Sequence, residues 1–102
     1  MLSERDFSLQ VEDILNLYGW HFAHFRPART VKGWRTAITG YEGFPDYVAV
    51  RNGRLLFFEL KSEKGKLTVA QEVWLDVLRM SARCEVRLWY PEDLESIVLI
   101  LR

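Results

Sequence analysis

The chain has 102 residues, 49% hydrophobic and 14% aromatic, and its 14 basic and 14 acidic side chains cancel to no formal net charge. That length holds one core, the apolar content excludes a disordered chain, and neutrality removes the overall basic field typical of nucleic-acid binders. No apolar run approaches the ~20 residues of a membrane span, and the single cysteine, Cys84, allows no internal disulfide.

The charged start, Met1 to Asp6, has no signal-peptide core, and a cytosolic setting is the simplest expectation. Ser3 reads as an N-cap, followed by Glu4 and Asp6 where the helix dipole favours acids. Phe7, Val11, Ile14, Leu15 and Tyr18 recur at helical spacing, and Gly19 fits the position past the last turn, so a helix is predicted over 4–18. Glu12 lies at the edge of its apolar stripe. Trp20 to Phe25 reads as a short aromatic strand. Its histidines, His21 and His24, sit three apart, which sends them to opposite faces and away from a shared metal. Residues 26–42 have no clear period and read as a long loop. Arg26, Arg29, Lys32 and Arg35 fall here without an acid between His21 and Tyr41. The loop is a candidate phosphate grip, with Trp34 or Tyr41 to stack on a base or sugar. A solvated loop with Trp34 tucked into the core is the plainer alternative.

Residues 43–61 organise the rest. Two apolar runs flank Asn52-Gly53, the favoured pair for a two-residue type I′ turn because both positions need positive φ. In such a hairpin Arg51 faces Arg54 and Val50 faces Leu55. Continued to the base, the pairing sets Asp46 opposite Glu59, with Lys61 on the same face as Glu59. Two facing carboxylates repel unless something compensates, and a divalent cation that takes one or two carboxylates is the obvious candidate.

Ser62 to Lys66 is a polar connector whose Lys64 and Lys66 lie next to this cluster. Thr68 to Gln71 has the form of a capping box, opening a helix with Ala70, Val73, Trp74, Val77 and Leu78 as its apolar stripe. Cys84 to Tyr90 alternates as a half-buried strand, with Val86, Leu88 and Tyr90 on one face. Cys84 itself reads as an inert small hydrophobe. After Pro91-Glu92-Asp93, Leu94 to Leu101 is apolar almost all round, as in a deeply buried helix or an interface.

Pro45-Asp46, a gap, then Glu59-Leu60-Lys61 resemble the active-site signature of the PD-(D/E)XK nucleases. Together with Gly43 to Asp46, Phe57 to Lys61 and Leu67-Thr68-Val69-Ala70-Gln71, the chain is most similar to the VRR-Nuc (virus-type replication-repair nuclease) branch. The resemblance runs from the helix carrying Glu12 to the strand ending near Tyr90. It implies an α/β fold with an αβββαβ restriction-endonuclease-like core, a mixed sheet flanked by helices, and here an extra C-terminal helical segment. One domain over residues 1–102 is expected. It further implies a Mg²⁺- or Mn²⁺-dependent DNA endonuclease centred on Asp46, Glu59 and Lys61. Asp46, Glu59 and the Leu60 carbonyl would be the metal ligands, and Glu12 and Gln71 would approach the site, with a solvated helix acid and a capping glutamine as their plainer readings. Lys64 and Lys66, next to the cluster, are candidates to hold the scissile strand or equally ordinary surface lysines. Small stand-alone members resemble phage and bacterial enzymes that act as homodimers on four-way (Holliday-junction-like) DNA. Branched DNA, a two-fold dimer and the cytoplasm of a bacterial or phage-infected cell are therefore expected. A flap or duplex nuclease and a catalytically weak DNA-binding accessory subunit are the alternatives of the same fold. A surface salt-bridge cluster of Asp46, Glu59 and Lys61 is the alternative without chemistry.

Overall fold

The structure, a computed structural model, describes residues 2–26, 28–35, 37–81 and 83–102, and only the backbone of residues 28–30, 34 and 35. Helix α1 (Glu4–Leu17) begins where the Ser3 hydroxyl accepts the Asp6 N–H at 3.0 Å. Phe7, Val11 and Leu15, about one turn apart, are completely buried. Burying each such side chain stabilises the fold by about 1.5–3 kcal/mol. Gly19 at φ +74° then turns the chain into β1 (His21–His24).

Residues 26–42, expected as a loop, contain a small hairpin of β2 (Ala28–Thr30) and β3 (Gly33–Arg35), paired Ala28 to Arg35 and Thr30 to Gly33. Strands of three residues are too short to show a period, which is why the pattern is silent. This hairpin is a sheet of its own.

The main sheet adds β4 (Tyr47–Arg51), β5 (Arg54–Leu60) and β6 (Glu85–Trp89) to β1, in the order β1-β4-β5-β6. β1 and β5 both run antiparallel to β4, and β6 runs parallel to β5 after a crossover through α2 (Val69–Arg79). The central register is the one the turn dictates: Arg51 pairs Arg54, and Tyr47 pairs Phe58. Asn52 at φ 49° and Gly53 at φ 80° supply the two positive dihedrals. The chain is thus an α/β protein, a four-stranded mixed sheet flanked by helices.

One face of the sheet carries the core. Tyr47, Ala49, Leu56, Phe58, Leu60 and Trp89 pack there against Phe7, Val11 and Leu15 of α1 and against Ile97 and Leu101 of α3 (Leu94–Leu101). The C-terminal segment is therefore a core element rather than an open interface, with Leu99 as its exposed large residue. It is held at the hairpin tip. Trp20 Nε1–H donates to the Leu101 carbonyl at 2.8 Å, as does the Arg51 guanidinium, and both Arg51 and Arg54 stack over the Trp20 ring. Two cations thereby meet the negative end of the α3 dipole.

Helix α2 covers the other face, but not with the stripe its sequence suggests. Leu75 is its buried residue, whereas Val73 and Val77 are 54% and 52% exposed. The helix is apolar on more than one side, so periodicity alone does not choose between them. Among the described residues no helix is long and apolar enough to cross a membrane.

Candidate active site

The base of the β4–β5 hairpin is fixed from several sides. Gly43, at φ +95°, lies so close to the start of α2 that an added Cβ would stand 2.6 Å from the Ala70 carbonyl carbon. Only glycine satisfies both the dihedral and the approach. Phe44 follows, edge-on to Phe25, Phe57 and Trp74 at centroid distances of 5.6, 5.9 and 5.0 Å. The buried Pro45 then delivers Asp46. The Asp46 carbonyl accepts the Phe25 N–H at 2.8 Å, and its carboxylate reaches across to the Leu60 N–H at 3.3 Å. In an extended residue the N–H and C=O point to the same side, so the Leu60 carbonyl also faces the Asp46 edge.

Glu59 follows Phe58 in the ladder and faces Asp46. It is 0% exposed, and neither carboxylate oxygen has a hydrogen-bond partner among the described residues. Burial first, and Asp46 beside it second, push its carboxyl up to about 9. A proton shared with Asp46 is the bond open to it within the chain. Lys61, one residue past the end of β5, opposes the shift. The Lys61 N–H is anchored on the Trp89 carbonyl at 3.0 Å, and its side-chain stem runs beside Gly65. Holding a buried carboxyl neutral at pH 7, where the unfolded chain would ionise it, costs the fold free energy, so this pair is costly on its own.

The expected α1 acid is Glu12, and the structure commits it elsewhere. Its carboxylate accepts the Tyr47 hydroxyl and pairs with His24 Nδ1 at 3.1 Å, while the Tyr47 ring stacks between His24 and Phe58. Burial and Glu12 hold the Tyr47 phenol well above its ordinary range. The α1 acid that feels the hairpin base is Glu4. Partial desolvation and Asp46 raise its carboxyl, and Lys61 and His24 act against them. Glu4 does not stand out in the sequence, because it lies off the apolar stripe of the helix. The missed signal is position: Glu4 is the first residue of α1, at the end that the helix turns toward Asp46.

Gln71 closes the capping box, its amide oxygen accepting the Thr68 N–H at 2.9 Å and its own N–H donating to Thr68 Oγ1 at 3.2 Å. Its helix end still borders the site, through Ala70 against Gly43. Lys64 and Lys66 are exposed beside Lys61, and Arg26 and Lys32 are exposed on the β2–β3 segment. The side chains of Arg29, Trp34 and Arg35 lie outside the described residues. His21 and His24 fall on opposite faces of β1, as their spacing requires.

Among the described residues no three of His, Cys, Asp and Glu gather to cage a metal ion. The donors at the hairpin base are two carboxylates and a carbonyl, all oxygen. Such a set suits a hard cation that keeps most of its waters, as Mg²⁺ does, and not a closed zinc or calcium cage. No protein-family model, curated protein or solved structure matches this chain.

Proposed function

We propose that this protein is a Mg²⁺- or Mn²⁺-dependent DNA endonuclease of the VRR-Nuc branch of the PD-(D/E)XK nucleases, acting on branched DNA. The observation that carries the reading is Glu59, a completely buried carboxylate with both oxygens unpartnered, facing Asp46. A chain pressed only to fold would place a hydrophobic residue there. Leaving aside the separate β2–β3 hairpin, the order of elements in the main sheet, one helix, three antiparallel strands, a crossover helix and a parallel strand, is compatible with an αβββαβ restriction-endonuclease-like core.

Asp46, Glu59 and the Leu60 carbonyl would hold the cation. When bound, it supplies an acidified water and neutralises charge on the phosphate. Lys61, held beside the carboxylates, faces the phosphate oxygens and stabilises the charge that grows as water adds to phosphorus and the bond to the leaving sugar oxygen breaks. Glu4 adds a further carboxylate within electrostatic reach of Asp46 and Lys61. The basic β2–β3 segment and Lys64 and Lys66 grip the flanking phosphates, which a neutral protein must do locally.

The test is cleavage of labelled four-way junction, flap, duplex and single-stranded DNAs with Mg²⁺ and with Mn²⁺. Junction cutting that disappears in Asp46→Ala and Lys61→Ala is expected. Intact substrates throughout, or full activity in either variant, would overturn the proposal. Metal-independent binding without cutting would point to a DNA-binding accessory subunit instead.

A further inference from the structure

Between β2 and β3 the chain turns through Val31 and Lys32, with Thr30 paired to Gly33 below them. Gly33, at φ +104°, supplies the left-handed residue that closes the turn. Val31 stands at the tip, fully exposed. Tight turns favour Gly, Pro, Asn, Asp and Ser, which either fit the dihedrals or bond their own backbone. The β4–β5 turn follows that rule with Asn52-Gly53. Valine does neither, and a fully exposed side chain buries no surface for the fold. A lone apolar residue on a broad surface needs no explanation, but this one is held at the end of a narrow two-stranded ribbon. Both feet of the ribbon end at the candidate site. Phe25, ahead of β2, donates its N–H to the Asp46 carbonyl at 2.8 Å, and its ring meets Phe44 at 5.6 Å. After β3 the chain leads to Gly43, pressed against Ala70 just ahead of Asp46. Charge along the segment has one sign, with Arg26, Arg29, Lys32 and Arg35 and no acid between His21 and Tyr41. An apolar tip on a cationic stem can pass between phosphates and reach the faces of bases.

We infer that the β2–β3 ribbon is a wedge for the branch point of DNA, with Val31 laid against the open face of the last base pair of an arm. The wedge rests on the nuclease reading for its ligand, branched DNA, and names the element that recognises the branch. Selectivity follows from stacking. In a continuous duplex both faces of every base pair are covered, so an inserted tip must first part a base step, which is costly. At a branch point the stack is interrupted, and the valine covers an apolar face already open to water. The length of the ribbon also limits where the cut falls. Val31 lies six residues beyond Phe25. At ~3.3 Å per residue the tip therefore stands at most about 20 Å from the Asp46 backbone. That reach is about six base steps at ~3.4 Å each.

The test is permanganate footprinting of a four-way junction with thymines at the branch point, because permanganate attacks thymines whose faces are open. In metal-free buffer the full chain is expected to protect the branch-point thymines and to leave those in mid-arm unchanged. Val31→Ser alters only an exposed side chain. It is expected to keep its circular dichroism and melting temperature, to lose the protection, and to lower the ratio of junction to duplex affinity about tenfold. Val31→Leu, which keeps an apolar tip, is expected to retain both. With Mg²⁺, cuts are expected no farther than about six nucleotides from the branch point. Branch-point thymines left reactive by the wild type, an equal affinity ratio in Val31→Ser, or cuts farther out would each overturn the wedge. Cutting of the junction that persists without protection would do so while leaving the nuclease reading intact. Protection without cutting in Mg²⁺ or Mn²⁺ would overturn the nuclease reading and support the wedge.

Discussion

Replacing Glu59 by glutamine separates what the residue does for the fold from what it does for the site. In the unfolded chain Glu59 ionises near its ordinary value of 4.5, whereas in the folded chain it is held protonated up to about 9. A raised folded value means that the contribution to stability is fully present below the unfolded value and is lost as pH rises toward the folded one. At pH 7 the unfolded chain has released a proton that the folded chain keeps. That gap of about 2.5 pH units costs about 3 kcal/mol of stability. Glutamine has nearly the same shape, never ionises, and can donate its amide to Asp46. In metal-free buffer, Glu59→Gln is therefore expected to melt on the order of 10–20 °C higher than the wild type at pH 7. The gap should shrink toward pH 4.5 and widen toward pH 9. Mg²⁺ should raise the wild-type melting temperature and leave the variant unmoved, and the variant should not cut DNA. Thermal melts with a chelator at several pH values provide the assay. A gap that does not change with pH, or a variant less stable than the wild type at neutral pH, would refute the reasoning.

The two acids of α1 are expected to behave in opposite ways. Glu12→Gln alters the acceptor shared by Tyr47 and His24 and should cost about 1–3 kcal/mol in a denaturant titration while sparing cleavage. Glu4→Gln is exposed and should change stability by less than about 0.5 kcal/mol, but it should raise the Mg²⁺ concentration needed for cutting. The reverse pattern would return Glu12 to the site. Gly43→Ala forces a Cβ toward Ala70 at a dihedral that non-glycine residues avoid, and should cost about 3 kcal/mol and displace Asp46. A melting curve like that of the wild type would show that the loop yields instead.

The parts of the fold that could be read from the sequence are those fixed by neighbouring residues. Asn52-Gly53 sets the turn, the turn sets the register, and the register sets Asp46 against Glu59 without any knowledge of the tertiary structure. The Thr68–Gln71 capping box is legible for the same reason, since donor and acceptor lie three residues apart. Two features resisted because they depend on what packs against what. The apolar sides of α2 compete, and the sheet, not the period, decided in favour of Leu75. The Trp20 indole meets the Leu101 carbonyl across 81 positions, which no local pattern encodes. Glu4 is hard to read for a related reason: which α1 acid reaches the hairpin base depends on where the helix starts relative to the sheet.

The contact of Gly43 with Ala70 ties the hairpin base to helix α2. Ala70 and Trp74 line a groove on α2 together with Tyr41 and Glu42, and the Ala70 backbone is also the surface against which the Gly43 to Asp46 loop is pressed. An occupant of that groove that favours one position of the loop would, by thermodynamic reciprocity, change the affinity of the cation proposed at Asp46 by an equal factor.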